Sequence, residues 1–175
     1  MTGTLKLTLP TAKLERAALD MRKEYFEFGE SKIAGGAGFH GATSYSMWMK
    51  RTLESKNTPL PGYMPSVTYF ATIDDTPVGM LQIRLELNES LFKTGGHIGY
   101  SVRPTMRNNG YATYMLALAL ERCASMGINN ILVTCKKDNA ASARVIVKNG
   151  GILENEVEDD DGTIFQRYWI RMGSV

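Results

Sequence analysis

The apolar run Ile98-Gly99-Tyr100-Ser101-Val102 leads within a few residues to Arg107-Asn108-Asn109-Gly110-Tyr111-Ala112. Apolar residues then recur at helical intervals: Ala112, Met115, Leu116, Ala119, Cys123 and Met126. The first run has the β-branched and aromatic content of a buried strand. The second places one apolar stripe along a helix, which Gly127 stops as a C-terminal glycine. A glycine-containing turn thus joins the end of a strand to the start of a helix. The first turn of a helix carries N–H groups without intrahelical acceptors, and its dipole favours an anion there. Gly110 has no Cβ to hold a bulky anion away. Arg103 and Arg107 can add charge-assisted bonds to phosphate oxygens. The segment Arg107, Asn108, Asn109, Gly110, Tyr111, Ala112 and Thr113 therefore reads as a diphosphate cradle. An ordinary strand–helix turn uses the same glycine, so the turn alone leaves both readings open.

Other phosphate loops are excluded by spacing. The chain contains no G-x-x-x-x-G-K-[ST] and no G-x-G-x-x-G. Its 175 residues suit one domain with one substantial core, residues 1–175. A net charge of +2 and 43% hydrophobic residues are ordinary for a soluble protein. No basic, aromatic-interleaved face singles out nucleic acid as a partner. No apolar run approaches the roughly 20 residues that span a bilayer, and Met1 to Pro10 lacks the pattern of a signal peptide. A cytoplasmic protein without membrane contact is expected. Cys123 and Cys135 fall on apolar faces outside any C-x-x-C pattern, and His40 and His97 are the only histidines. Two reduced, buried thiols and no metal site are expected.

Thr4 to Leu9 alternates as a first strand. Pro10-Thr11 opens a helix, with Thr11 as its N-cap, that carries Leu14, Ala17, Ala18, Met21, Tyr25 and Phe28 and ends near Gly29. Gly35 to Gly41 is too rich in glycine for regular structure and reads as a loop. Thr43 or Ser44 caps a second helix bearing Tyr45, Trp48, Met49 and Leu53. Strands over Val67–Ile73 and Val78–Leu87 flank a turn at Asp74-Asp75-Thr76-Pro77. After the cradle helix come a strand at Ile131–Cys135, a helix led by Asn139, a strand at Ile152–Val157, an acidic turn at 158–162 and a last strand to Met172. The order β-α-α-β-β-β-α-β-α-β-β predicts an α+β fold with a mixed, mostly antiparallel central sheet flanked by helices.

The Arg-x-x-Gly-x-Ala of the cradle resembles the R/Q-x-x-G-x-G/A loop of the GCN5-related N-acetyltransferase (GNAT) family. The elements that follow, through Asp138-Asn139-Ala140-Ala141-Ser142 and Lys148-Asn149-Gly150-Gly151, keep that family's order. The resemblance implies the GNAT fold, acetyl-CoA as co-substrate, and a primary amine on a small molecule or peptide as acceptor. It implies that the strands on either side of the cradle helix splay apart to admit the pantetheine arm. Backbone N–H groups near Val102 and Arg103 would bond that arm, and Asn139 and Ser142 would contact the cofactor. Asn139 also reads as a plain N-cap, and one residue can do both.

For the proton on the attacking amine there are two candidates. His97 stands at the start of the cradle strand and has an ordinary pKa of about 6.5, suited to a base at neutral pH. Glu86, at the end of the preceding strand, is the alternative. Many family members carry a tyrosine about seven residues after the asparagine as general acid; here that place is Ile146. Tyr111 and Ser101 are candidate substitutes that nothing else in the sequence supports. The missing tyrosine keeps a second reading open, a non-catalytic acyl-CoA-binding or sensing module. The acceptor and the oligomeric state, homodimer included, are not legible.

Overall fold

The computed structural model describes residues 3–173. Its elements are β1 (Lys6–Thr8), α1 (Glu15–Glu27), α2 (Tyr45–Glu54), β2 (Ser66–Ile73), β3 (Thr76–Arg84), β4 (Ile98–Val102), α3 (Tyr111–Ser125), β5 (Asn130–Lys136), α4 (Ala140–Lys148), β6 (Ile152–Glu158) and β7 (Ile164–Arg171). The strands form two antiparallel sheets, ordered β1-β2-β3-β4 and β5-β7-β6. The α+β architecture and the order of elements are those expected from the sequence. The division of the strands into two sheets falls between β4 and β5, where the splay was expected.

Several boundaries differ from expectation for local reasons. Thr11 makes no side-chain cap bond; Ala12–Leu14 forms a 3-10 turn, and the α-helix begins only at Glu15. Ser44 rather than Thr43 caps α2, its Oγ accepting from the N–H of Met47 at 3.3 Å. The β2–β3 turn is tighter than four residues. Asp74 and Asp75 take φ of 48° and 61°, and Ile73 already faces Thr76. Positive φ at both central residues matches the twist of a two-residue hairpin. Pro77 therefore enters β3, beside the register shift between Ala71 and Thr72, where a missing N–H is tolerated. The strand expected to reach Leu87 ends at Arg84, and the lead-in to β4 is a single π turn, Leu91–Gly95.

Two cores lie on opposite faces of the first sheet. Leu14 of the 3-10 turn and Ala18, Met21 and Tyr25 of α1 form one buried stripe and pack with Phe39, Tyr45, Trp48, Phe70 and Met80. Trp48 donates its Nε1–H to the carbonyl of Gly36 at 3.0 Å, so its one polar atom is satisfied in burial. That bond ties the glycine-rich loop to α2. On the other face Val78, Leu81, Ile98 and Val102 meet Met115, Leu116 and Ala119 of α3 and the strands of the second sheet. Cys123 and Cys135 are both buried free thiols. Among the described residues, no helix is long and apolar enough to cross a membrane.

The two sheets meet at Gly96 and His97. Gly96 has φ 65° and ψ −179°, a region open to glycine alone. A Cβ there would stand 2.7 Å from the carbonyl oxygen of Leu132 on β5. Gly96→Ala is therefore expected to lower stability by about 1–3 kcal/mol or more, read as a fall in the urea midpoint at unchanged m-value. An unchanged midpoint would show that the junction accommodates a side chain.

Candidate active site

From their junction β4 and β5 diverge. The N–H of His97 donates to the carbonyl of Leu132 at 2.7 Å. Its ring Nδ1 accepts the N–H of Leu132 at 3.0 Å. Beyond this pair, no further backbone hydrogen bond joins β4 to β5 among the described residues. On its other edge β4 is paired with β3 throughout. Alternation in an antiparallel ladder turns the N–H groups of Tyr100 and Val102 away from β3, into the gap. The gap opens toward the C-terminal end of β4, where the cradle begins.

The cradle is built mainly from backbone. Asn108 and Gly110 have φ of 64° and 78°, and the amide of Asn109 holds the turn by donating to the carbonyls of Met106 and Arg107 at 3.1 and 2.9 Å. The N–H groups of Asn108, Asn109, Gly110, Tyr111 and Ala112 have no acceptor among the described residues. That of Thr113 already donates to Gly110 at 3.1 Å, so Thr113 can offer only its hydroxyl. Gly110 is required by its φ and not by crowding, because a Cβ would meet no atom within 4 Å. Consecutive free N–H groups at the start of a 15-residue helix are an arrangement that suits an anion.

The two arginines are placed differently from the expectation. Arg103 is ion-paired through Nε to Glu24 of α1. Glu24 also accepts the N–H and the hydroxyl of Thr105, both at 2.8 Å. Arg107 donates Nε–H to the carbonyl of Val102 at 3.1 Å. It faces Glu30 with both terminal nitrogens, at 2.6 and 2.9 Å. In this structure Arg103 braces the 102–107 turn against α1 and Arg107 braces it against the residues just after that helix. No sequence pattern links residues so far apart in the chain, and nothing local marks Glu24 or Glu30 as their partners.

Asn139 is the N-cap of α4, its Oδ1 accepting from the N–H of Ser142 at 3.1 Å. The Ser142 hydroxyl shares a 2.9 Å hydrogen bond with the Tyr100 hydroxyl. This contact reaches from β4 across the gap to α4. Burial pushes the Tyr100 hydroxyl up to about 12, and the bond to Ser142 only partly offsets it. Ile146 is fully buried in the core. Ser101 accepts from Tyr25 at 3.0 Å and donates to the carbonyl of Ala34 at 2.7 Å, so its hydroxyl is occupied. Tyr111 is half-buried at the first position of α3.

His97 is 8% exposed. Desolvation lowers its pKa and the nearby Arg84 charge lowers it further, and the Leu132 N–H donated to Nδ1 favours the neutral ring. Its Nδ1 lone pair is occupied by the Leu132 N–H, which leaves Nε2 as the N–H bearing nitrogen. Glu86 lies beyond the end of β3 and is exposed. Among the described residues no three His, Cys, Asp or Glu side chains group as metal ligands. A cavity of about 740 Å³ opens on the α1–α2 face of the first sheet, with Lys32, Gly35, His40, Arg51, Gln82 and Arg84 in its lining. Gly35 lies directly on β4, since a Cβ would stand 2.4 Å from the carbonyl oxygen of Gly99. The run of glycines marked this loop in the sequence, but nothing marked the cavity beneath it.

Glu24 anchors the turn that leads to the cradle, and it titrates. Burial raises its carboxyl pKa, but the Thr105 N–H, Arg103 and the Thr105 hydroxyl together hold it below the ordinary value. A depressed folded pKa contributes stability that is full above the unfolded value and lost as pH falls through the folded one. Wild type is therefore expected to lose stability below about pH 4.5 more steeply than Glu24→Gln. Parallel urea titrations between pH 3 and 7 check this, and equal slopes would remove Glu24 as a contributor.

A family profile described as "Acetyltransferase (GNAT) family" matches residues 27–150. No curated protein matches the chain. Among solved structures, RimL, a ribosomal L7/L12 alpha-N-protein acetyltransferase in complex with coenzyme A, superposes with a TM-score of 0.71 at 18% identity, covering 98% of this chain and 96% of that one. The microcin C7 self-immunity acetyltransferase MccE, in complex with acetyl-CoA and AMP, gives 0.68 at 16% identity over 98% and 94%. A spermidine N-acetyltransferase chimera from Vibrio cholerae and a second enzyme gives 0.63 at 13% identity over 95% and 94%. At these identities the likeness is one of fold.

Proposed function

Because the chain belongs to the GNAT acetyltransferase family, we propose that it moves the acetyl group of acetyl-CoA to a primary amine by direct attack on the thioester. The observation that carries this reading is the row of unpaired N–H groups from Asn108 to Ala112, set at the mouth of the gap between β4 and β5. The residues present fit the co-substrate: consecutive donors for a diphosphate, then a free strand edge for an amide-bearing arm. When bound, acetyl-CoA supplies an acyl group already activated as a thioester. The N–H groups of Tyr100 and Val102 would orient the arm along β4, and Asn139 and Ser142 at the head of α4 would border it. Positioning is the main catalytic contribution.

Neither candidate base is well placed for proton abstraction. His97 has its lone pair committed to Leu132, and Glu86 faces solvent. In our reading His97 holds the gap closed at its narrow end, and the amine loses its proton to water. For the leaving sulfur we propose Tyr100 as proton donor, with Ser142 as its hydrogen-bonded partner. Its hydroxyl spans the gap and burial keeps it protonated. The buried Ile146 in the place of the family's tyrosine supports the second reading, a non-catalytic acyl-CoA-binding module. Steady-state release of CoA thiol with an amine panel separates the two. The acceptors named for the compared proteins, a ribosomal protein and spermidine, differ too much to choose one.

CoA is expected to raise the melting temperature by mass action on the native state. Gly110→Val should abolish that rise, because a branched residue at φ 78° strains the turn that aims the N–H row. Glu30→Gln should strengthen CoA binding by freeing Arg107 toward the diphosphate. Isothermal calorimetry reads both, and wild-type affinity in both variants would place the diphosphate elsewhere.

His97→Leu leaves the Leu132 N–H unpaired in burial and should cost about 1–3 kcal/mol of stability, while the acidic limb of the kcat/KM profile stays in place. Loss of that limb would restore His97 as the base. Tyr100→Phe should lower kcat by about 10²-fold with CoA affinity nearly unchanged. Full activity in Tyr100→Phe would mean that the sulfur leaves without this acid.

A further inference from the structure

We propose that the acceptor is an anionic amine, one whose amino group is carried on a molecule with a carboxylate or phosphate held by the cations of the cavity beside β3. This rests on the transferase reading above. Lys32, Arg51 and Arg84 all line the cavity, and no aspartate or glutamate does. Glu30, Glu54, Glu86 and Glu89, near the lining residues in the chain, stand outside it. Among the described residues, none of the three cations is ion-paired. Arg84 donates through Nη1 to the carbonyls of Gly95 and Gly96, both at 3.0 Å. Arg51 donates to the carbonyl of Ala37 at 2.8 Å. Carbonyls orient a guanidinium without neutralising it, so the concave wall keeps a positive potential that focuses on anions.

The contrast lies within the same protein. At the cradle the chain sets Glu24 and Glu30 directly against Arg103 and Arg107. In the cavity it sets no carboxylate against its cations, although partly desolvated charge is costly unless paired. The positive wall has a consequence for chemistry as well. Like charge disfavours an ammonium, so an amine brought here by its own anionic group is more readily neutral and nucleophilic. That accounts for a site without a well-placed base. A polycation such as spermidine would meet only repulsion.

The test uses matched amines: ethanolamine against O-phosphoethanolamine, the dipeptide Ser-Asp against Ser-Asn amide, and spermidine. Two readouts are taken: CoA-thiol release with acetyl-CoA, and calorimetric binding of each amine to the CoA-saturated protein. At least one anionic member should exceed its neutral partner by about tenfold in kcat/KM and in affinity, the size of one charge-assisted contact. The arm that responds shows whether phosphate or carboxylate is the group. Lys32→Glu, at an exposed position with no bonded partner, should shrink that ratio mainly through KM with the melting temperature unchanged. Arg51→Gln should do the same with some loss of loop stability. Equal treatment of charged and neutral members, preference for spermidine, failure of every anionic amine to bind, or a ratio untouched in both variants would overturn the proposal. If anionic amines bind preferentially but no thiol is released, the transferase reading fails and the anion site stands. If thiol is released without charge preference, the transferase reading stands and the anion site fails.

Discussion

Two hydrogen bonds between His97 and Leu132 set the geometry on which the candidate site depends. One is backbone to backbone, and in the other the imidazole takes the place of the carbonyl that a continuing ladder would supply. A sheet that continued past this point would consume the N–H groups of β4 in pairing with β5. A sheet with no bond here would leave buried polar groups unsatisfied. The histidine satisfies Leu132 from the side, so the strands can part at once without an orphaned donor. Gly96 makes the approach possible, because any side chain would collide with the same carbonyl. The gap, the free edge of β4 and the hydroxyl bridge from Tyr100 to Ser142 all follow from that arrangement.

The cradle shows a related division of labour. Side-chain charge secures the turn and backbone N–H groups face outward. Glu24 and Glu30, on α1 and just after it, hold the residues 103–107 through Arg103, Thr105 and Arg107. An anion-binding turn needs its N–H groups aimed together before the anion arrives, otherwise binding must supply the cost of ordering them. Anchoring the turn to a helix from another part of the core provides this preorganisation. Arginines that look from the sequence like phosphate ligands serve first as braces.

The glycine-rich loop after that helix, with Arg51 and Thr52 of α2, walls the cavity. Gly35 rests against Gly99 so closely that the loop could not carry a larger residue at Gly35. The loop is pinned by Trp48 to Gly36, Arg51 to Ala37 and Ser101 to Ala34. A segment that reads as a loop too rich in glycine for regular structure is thus a packed wall. This is why the lining can keep Arg51 and Arg84 without carboxylates: their side chains hold carbonyls of that wall and of the Gly95-Gly96 turn.

The order of elements, the cradle turn with its glycine, and the N-cap at Asn139 were legible in the sequence, because each depends on residues within a few positions of one another. Apolar spacing, φ preference and capping are local properties, and tertiary packing did not overrule them. The differences at Thr11, at Pro77 and beyond Arg84 are shifts of a few residues, where packing chose among local options. The tertiary structure alone decided what the polar side chains do. His97 stands where a base was expected, but Leu132, 35 residues away, takes its lone pair. Arg103 and Arg107 are met by Glu24 and Glu30 from 79 and 77 residues back. Tyr100 becomes the hydroxyl in the gap because Ser142 lies opposite. The state of a titratable or hydrogen-bonding group is set by whatever lies within a few ångströms, and a linear chain does not specify those neighbours until it has folded.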